Sequence, residues 1–221
     1  SQSRLPNPRL MHILLAYASL SGNTRDVARR VQAQCEAAGH QVTLIHTDVQ
    51  TLRGVLGNAA HAAGFDLHLL GSWSDNAGRT PAEMKRYIAE LVEAAGKRIE
   101  VAAFGTGETQ WGLEYYCGAV KRIARFFDSA YPLLEIEQMP HGDRDTAAID
   151  AWCAQVLALR AARATEVAAA ESTSASAAGF AALAFVQSLR WSALLSPAFD
   201  QIAARFVGLS FFAAFLSALG G

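Results

Sequence analysis

Residues 19–24 read SLSGNT and follow directly on HILLAYA at 12–18. The first segment is an apolar run of strand length. The second holds Ser19, Ser21, Asn23 and Thr24, one glycine and no charge. From Thr24 onward Val27, Ala28, Val31 and Cys35 recur at helical spacing until Gly39. The chain therefore passes from a buried strand, through a small neutral turn, into an amphipathic helix. A helix beginning near Thr24 leaves its first N–H groups unpaired, and such groups favour an anion. Gly22 lets the backbone come close to it, and the four polar side chains add donors. A nucleotide-cleaving loop of the form GxxxxGK[ST] carries a lysine; this turn has none, which suits a phosphate that is held and left intact. The same residues also suit a plain strand-to-helix turn capped by Asn23 or Thr24.

The alternation continues along the chain. Strand-like runs at 13–18, 42–46, 65–70, 99–104 and 133–137 alternate with helical patterns at 24–38, 81–95, 113–128 and 146–160. The stretch 49–63 reads as a short helix or loop. The closing helix keeps Ile149, Trp152, Cys153, Val156 and Leu157 at a 3.6-residue period. Five strands alternating with helices predict an α/β fold, a doubly wound parallel sheet with helices on both faces. Ligands of such sheets sit outside the carboxyl ends of the strands, near the switch point. Three chemically unusual loops leave those ends, at 19–24, 72–80 and 106–116.

The second and third loops are aromatic. GSWSDNAGRTP at 71–81 sets Trp73 just past the third strand, and GTGETQWGLEYYCGAV at 105–120 sets Trp111, Tyr115 and Tyr116 past the fourth. Large rings on a wet rim are costly, and they make sense around a flat apolar ligand. Gly78, Gly105 and Gly107 leave backbone free to meet its edges. Either tryptophan also suits a plain cap on the sheet edge.

Composition sets the bounds. The chain has 221 residues, 52% hydrophobic, with net charge −1, enough for one domain and an appendage. Near-neutrality implies no nucleic-acid partner. Cys35, Cys117 and Cys153 lack metal-ligand spacing and read as reduced thiols of a cytoplasmic protein. Cys35 and Cys153 fall on apolar helix faces. No metal site is expected. Arg25, Arg29 and Arg30 read as a solvated helix face.

A phosphate cradle beside two aromatic loops describes a flat heterocycle with a phosphate tail. SLSGNT, GSWSDNAG and GTGETQWGLEYYCGAV together resemble the flavodoxin family over residues 11–160, and the uninterrupted 133–137 run is similar to its short-chain members. The resemblance implies strand order 2-1-3-4-5 and FMN as cofactor. It implies that Ser19, Leu20, Ser21, Gly22, Asn23 and Thr24 hold the phosphate. Ser72, Trp73, Ser74, Asp75 and Asn76 would flank the ring on one side. Gly105, Thr106, Gly107, Glu108, Trp111, Tyr115, Tyr116 and Cys117 would line the other, with Trp111 as stacking ring. It further implies a low-potential one-electron carrier, whose potential is set by an uncharged phosphate site and by the nearby Glu108 and Asp75. A peptide flip needing φ > 0 would fall at Asn76. Redox partner proteins, a reductase and an acceptor, are expected. The alternatives are an accessory flavoprotein serving one enzyme and a non-redox interaction domain; no nicotinamide-binding fingerprint supports a catalytic reductase.

Flanking segments are assigned by composition. Residues 1–10 read as a loose extension ahead of Met11. Residues 161–178, rich in Ala, Ser and Thr, read as a linker or weak helix. Residues 179–221 hold two apolar stretches, at 180–195 and 202–219, divided by Pro197. These are expected to form an apolar helical pair, packed or dimer-forming, in preference to a membrane contact.

Overall fold

The structure, a computed structural model, describes residues 9–138 and 142–193, with side chains to residue 170. Strands β1 (His12–Ala18), β2 (Gln41–His46), β3 (Leu67–Trp73), β4 (Val101–Gly107) and β5 (Leu134–Glu137) alternate with helices α1 (Asn23–Ala37), α2 (Leu52–Leu56), α3 (Ala82–Ala95), α4 (Gly118–Phe127) and α5 (Gly142–Ala193). All neighbouring strands run parallel, in the order β2-β1-β3-β4-β5. This is the order that the sequence motifs imply. The switch point lies between β1 and β3, where Ala18 pairs with Ser72.

Both faces of the sheet are buried, which explains why β1 and β3 lack polar alternation. Successive residues point to opposite faces. Ile13, Leu15, Tyr17, Leu69 and Phe104 pack with Val27 and Val31 of α1 and with Ile149, Trp152 and Val156 of α5. Leu14, Ala16, Leu70 and Ala103 pack with Met84, Tyr87 and Leu91 of α3 and with Val120 and Ile123 of α4. Each large aliphatic side chain buried this way contributes about 1.5–3 kcal/mol. The sheet is tight where the site begins: a Cβ on Gly105 would lie 2.0 Å from the Ser72 carbonyl oxygen.

Two helices differ from the sequence expectation. Residues 113–117 do not join α4. Cys117 takes φ 47, ψ 33 and so stands as a left-handed residue ahead of the helix. The 161–178 stretch, expected as linker or weak helix, lies within α5; alanine is the best helix former and sustains it. One compact unit ends at Arg163 and a second begins at Ala164. Arg30, expected on a solvated helix face, is only partly exposed and is paired. Its Nε and Nη2 donate to Asp150 of α5 at 2.9 and 2.8 Å. This pair holds the Asp150 carboxyl below the usual carboxylate range. No helix among the described residues is long and apolar enough to cross a membrane. The expected extension at 1–10 falls largely, and the apolar stretch at 202–219 wholly, outside the described residues.

Candidate functional site at the switch point

The 19–24 turn is built from bonds that leave some of its amides free. Gly22 is the N-cap of α1 at φ 94, ψ −14, with no side-chain cap. Few residues other than glycine adopt that backbone. Ser19 Oγ accepts from the amides of Gly22 (3.1 Å) and Arg25 (3.2 Å). Its own amide donates to Asp48 Oδ2 at 3.0 Å. Asp48 is held in turn by His46, whose Nε2 lies 2.5 Å from the same oxygen and whose ring stacks on Tyr17 at 4.7 Å. Ser21 Oγ accepts from Asn23 Nδ2. The amides of Ser21, Asn23 and Thr24 have no partner among the described residues. Three free N–H groups at the start of a 15-residue helix form a cradle for an anion.

The Thr24 hydroxyl is directed elsewhere. It lies 2.9 Å from Thr106 Oγ1, and both residues are buried. This bond joins the first loop to the end of β4.

Beside the cradle is a slot of about 200 Å³. Leu20 and Ser21 form one end. Trp73 and Ser74 form a wall at the end of β3; Thr106, Gly107, Glu108 and Trp111 form the wall beyond β4. Trp73 is fixed by a bond from its Nε1 to Glu83 Oε1 (3.0 Å) in the first turn of α3. Trp111 is 69% exposed, and its Nε1 donates to Glu108 Oε2 at 2.7 Å. The Gln110 amide reaches the same oxygen. Glu108 thus anchors an indole that packing alone would not hold. Ser74 Oγ accepts from the amide of Ala119, fixing the loop against α4.

Other expected residues lie away from the slot. Ser72 is buried, and its hydroxyl donates to the Trp73 carbonyl. Gly105 packs against Ser72 within the sheet. Asp75 accepts from the Asn76 amide and bridges to Arg79, closing its own turn. Asn76 is not the residue with positive φ. That residue is Ala77, at φ 54, ψ 37. Tyr115 is 41% exposed and does not line the slot. Tyr116 packs against the α3–α4 side of the core, and its carbonyl accepts from Lys121 Nζ. Cys117 is buried, with its thiol pushed up to about 12 chiefly by burial and then by Glu135. It is a packing group.

Three residues near the site were not singled out from sequence. Gln138 lines the slot, its amide bonded to the Gly107 carbonyl at 2.6 Å. Asp48 sits on the same rim because β2 runs parallel to β1, a placement the parallel pattern could have given. Arg25, expected on a solvated helix face, is exposed, and its guanidinium lies over Gly22.

A doubly wound sheet whose switch point joins an amide cradle to an indole-lined slot defines a mononucleotide-binding α/β domain. The flavodoxin family model matches residues 15–152, and the chain belongs to the flavodoxin family. Among its relatives, "Probable flavodoxin 2" of Bacillus subtilis is 27% identical over 144 residues, 62% of this chain and 89% of that protein. The flavodoxin of Nitratidesulfovibrio vulgaris is 28% identical over 156 residues, 67% of this chain and 98% of that one. Oxidised Flavodoxin 2 from Bacillus cereus, 26% identical, superposes with a TM-score of 0.55 over 67% of this chain and 99% of its own. A Fusobacterium nucleatum flavodoxin mutant solved with flavin mononucleotide bound shares the fold at 14% identity, with a TM-score of 0.50 over 66% of this chain and 96% of its own.

Proposed function

We propose that this protein binds FMN at the switch point and works as a low-potential one-electron carrier between redox proteins. One observation carries the reading: the free amides of Ser21, Asn23 and Thr24 open beside a slot bounded by Trp73 and Trp111. That pairing fits a phosphate tail and a flat ring on one ligand. When bound, FMN supplies the one-electron chemistry at its ring.

The chain's own residues divide the remaining work. The three amides hold the phosphate, and Gly22 takes the positive φ that turns the chain into α1. Trp73, braced by Glu83, and Trp111, braced by Glu108, cover the ring and exclude water. Gly107 lines the slot where a side chain would collide with the Cys117 backbone. Glu108 sets a carboxylate in the slot wall, and a like charge nearby in a poorly hydrated site opposes gain of negative charge. This favours a low potential for the second electron. Leu20 and Trp111 are both strongly exposed at the slot; with the exposed Leu113 they give an apolar rim on which a partner protein can dock.

The test is reconstitution. Purified apoprotein is titrated with FMN while tryptophan fluorescence is followed, and the loaded protein is then titrated reductively. Quenching with saturable micromolar or tighter binding, followed by two separated one-electron steps, is expected. Absence of FMN binding, or a single two-electron step, rejects the carrier assignment.

A further inference from the structure

We propose that Arg25 is a phosphate-binding residue: its guanidinium makes the cradle cationic and separates FMN from the unphosphorylated flavin. The inference rests on the FMN-binding reading above and adds a charged group to a turn that contains none.

The geometry is specific. A Cβ built on Gly22 would lie 2.8 Å from Arg25 Nη2 and 3.3 Å from Cζ. The guanidinium therefore lies against the open side of the glycine at the head of α1. The Arg25 amide is tied to Ser19 Oγ, which fixes the start of the side chain to the cradle. Its one carboxylate neighbour among the described residues is Asp26, with Oδ1 at 3.5 Å from Nε, both side chains well exposed. A pair of that kind holds little, and it engages Nε while both terminal nitrogens stay available. The other carboxylate at the turn, Asp48, is already engaged by the Ser19 amide and His46. A planar cation with two free donors is well matched to a phosphate. Gly22 matters twice here: any side chain at that position would displace the guanidinium as well as strain the backbone.

A cation at the phosphate acts on the tail alone, so it changes FMN affinity without changing ring affinity. Because the group is exposed, its effect is also weakened by salt.

The experiment compares FMN and riboflavin binding by fluorescence titration in the full chain and in Arg25→Gln and Arg25→Lys variants, at low and high sodium chloride. Circular dichroism of each apoprotein verifies the fold. Arg25→Gln is expected to weaken FMN about tenfold, the scale of one charge-assisted hydrogen bond, and to leave riboflavin unchanged. Arg25→Lys recovers part of the loss, and Arg25→Gln has a flatter salt dependence than the parent. Equal losses for FMN and riboflavin, or no loss for either, overturn the assignment. If the parent itself fails to bind FMN, the functional reading falls instead, and the two failures are thus distinct.

Discussion

The Thr24–Thr106 bond offers a sharp test of how the cradle is tied to the rest of the site. The two hydroxyls lie 2.9 Å apart between buried residues. Replacing one with Val leaves the other buried hydroxyl with no partner, at a cost of about 1–3 kcal/mol. The new methyl recovers up to about 0.8 kcal/mol. Each single variant should therefore lose about 1–2 kcal/mol of stability. In Thr24→Val with Thr106→Val both polar groups are gone and the shape is kept, so the net change should be within about 0.5 kcal/mol of zero. The coupling energy of the cycle is then about 2–4 kcal/mol, large for any contact pair. Urea denaturation of the apoproteins, followed by far-UV circular dichroism at constant m-value, reads all four corners. Single-variant losses that simply add in the double variant would show that the hydroxyls do not depend on one another, and the reasoning would fail.

Three other outcomes follow from buried polar groups. Tyr87 is 2% exposed and its hydroxyl has no partner among the described residues, so Tyr87→Phe should raise stability by about 1 kcal/mol; a loss in the same denaturation assay would show that a partner exists. Burial lowers the pKa of both His68 and His40, and His40 Nδ1 already accepts from the Met11 amide. Between the depressed folded value and about 6.5 the unfolded chain binds more protons. Stability should therefore fall as pH drops below about 6.5, and a double His→Gln variant should flatten that slope; an unchanged slope would assign the effect elsewhere. The thiols of Cys35, Cys117 and Cys153 are all buried, so Ellman's reagent should find none in the native protein and all three in urea; rapid native labelling would contradict the packing.

How far the sequence reaches depends on the range of the interaction. Strand positions and the sheet's class follow from local apolar runs, because a strand covered on both faces has no polar alternation to obscure it. The cradle and both tryptophans were legible for a related reason: parallel strands send their following loops to one rim. Legibility ends where a side chain answers to a distant one. The partner of Arg30 is not legible locally because Asp150 stands 120 positions away. Ala77, a residue with no turn signature, takes the left-handed backbone expected of Asn76. The 113–117 stretch has helical composition, yet Cys117 breaks the register ahead of α4. Arg25 is exposed, as its helix position implies, but the direction of its guanidinium is not a local property of the sequence.

The face of the sheet built around Ile13, Tyr17 and Val31 is sealed only when Trp152 and Val156 arrive, and Arg30 waits on Asp150 across the same seam. The ribosome must therefore release nearly the entire domain before that face is closed. Until then the part of this face beside α1 stays uncovered, and chaperone protection during synthesis has its greatest value there.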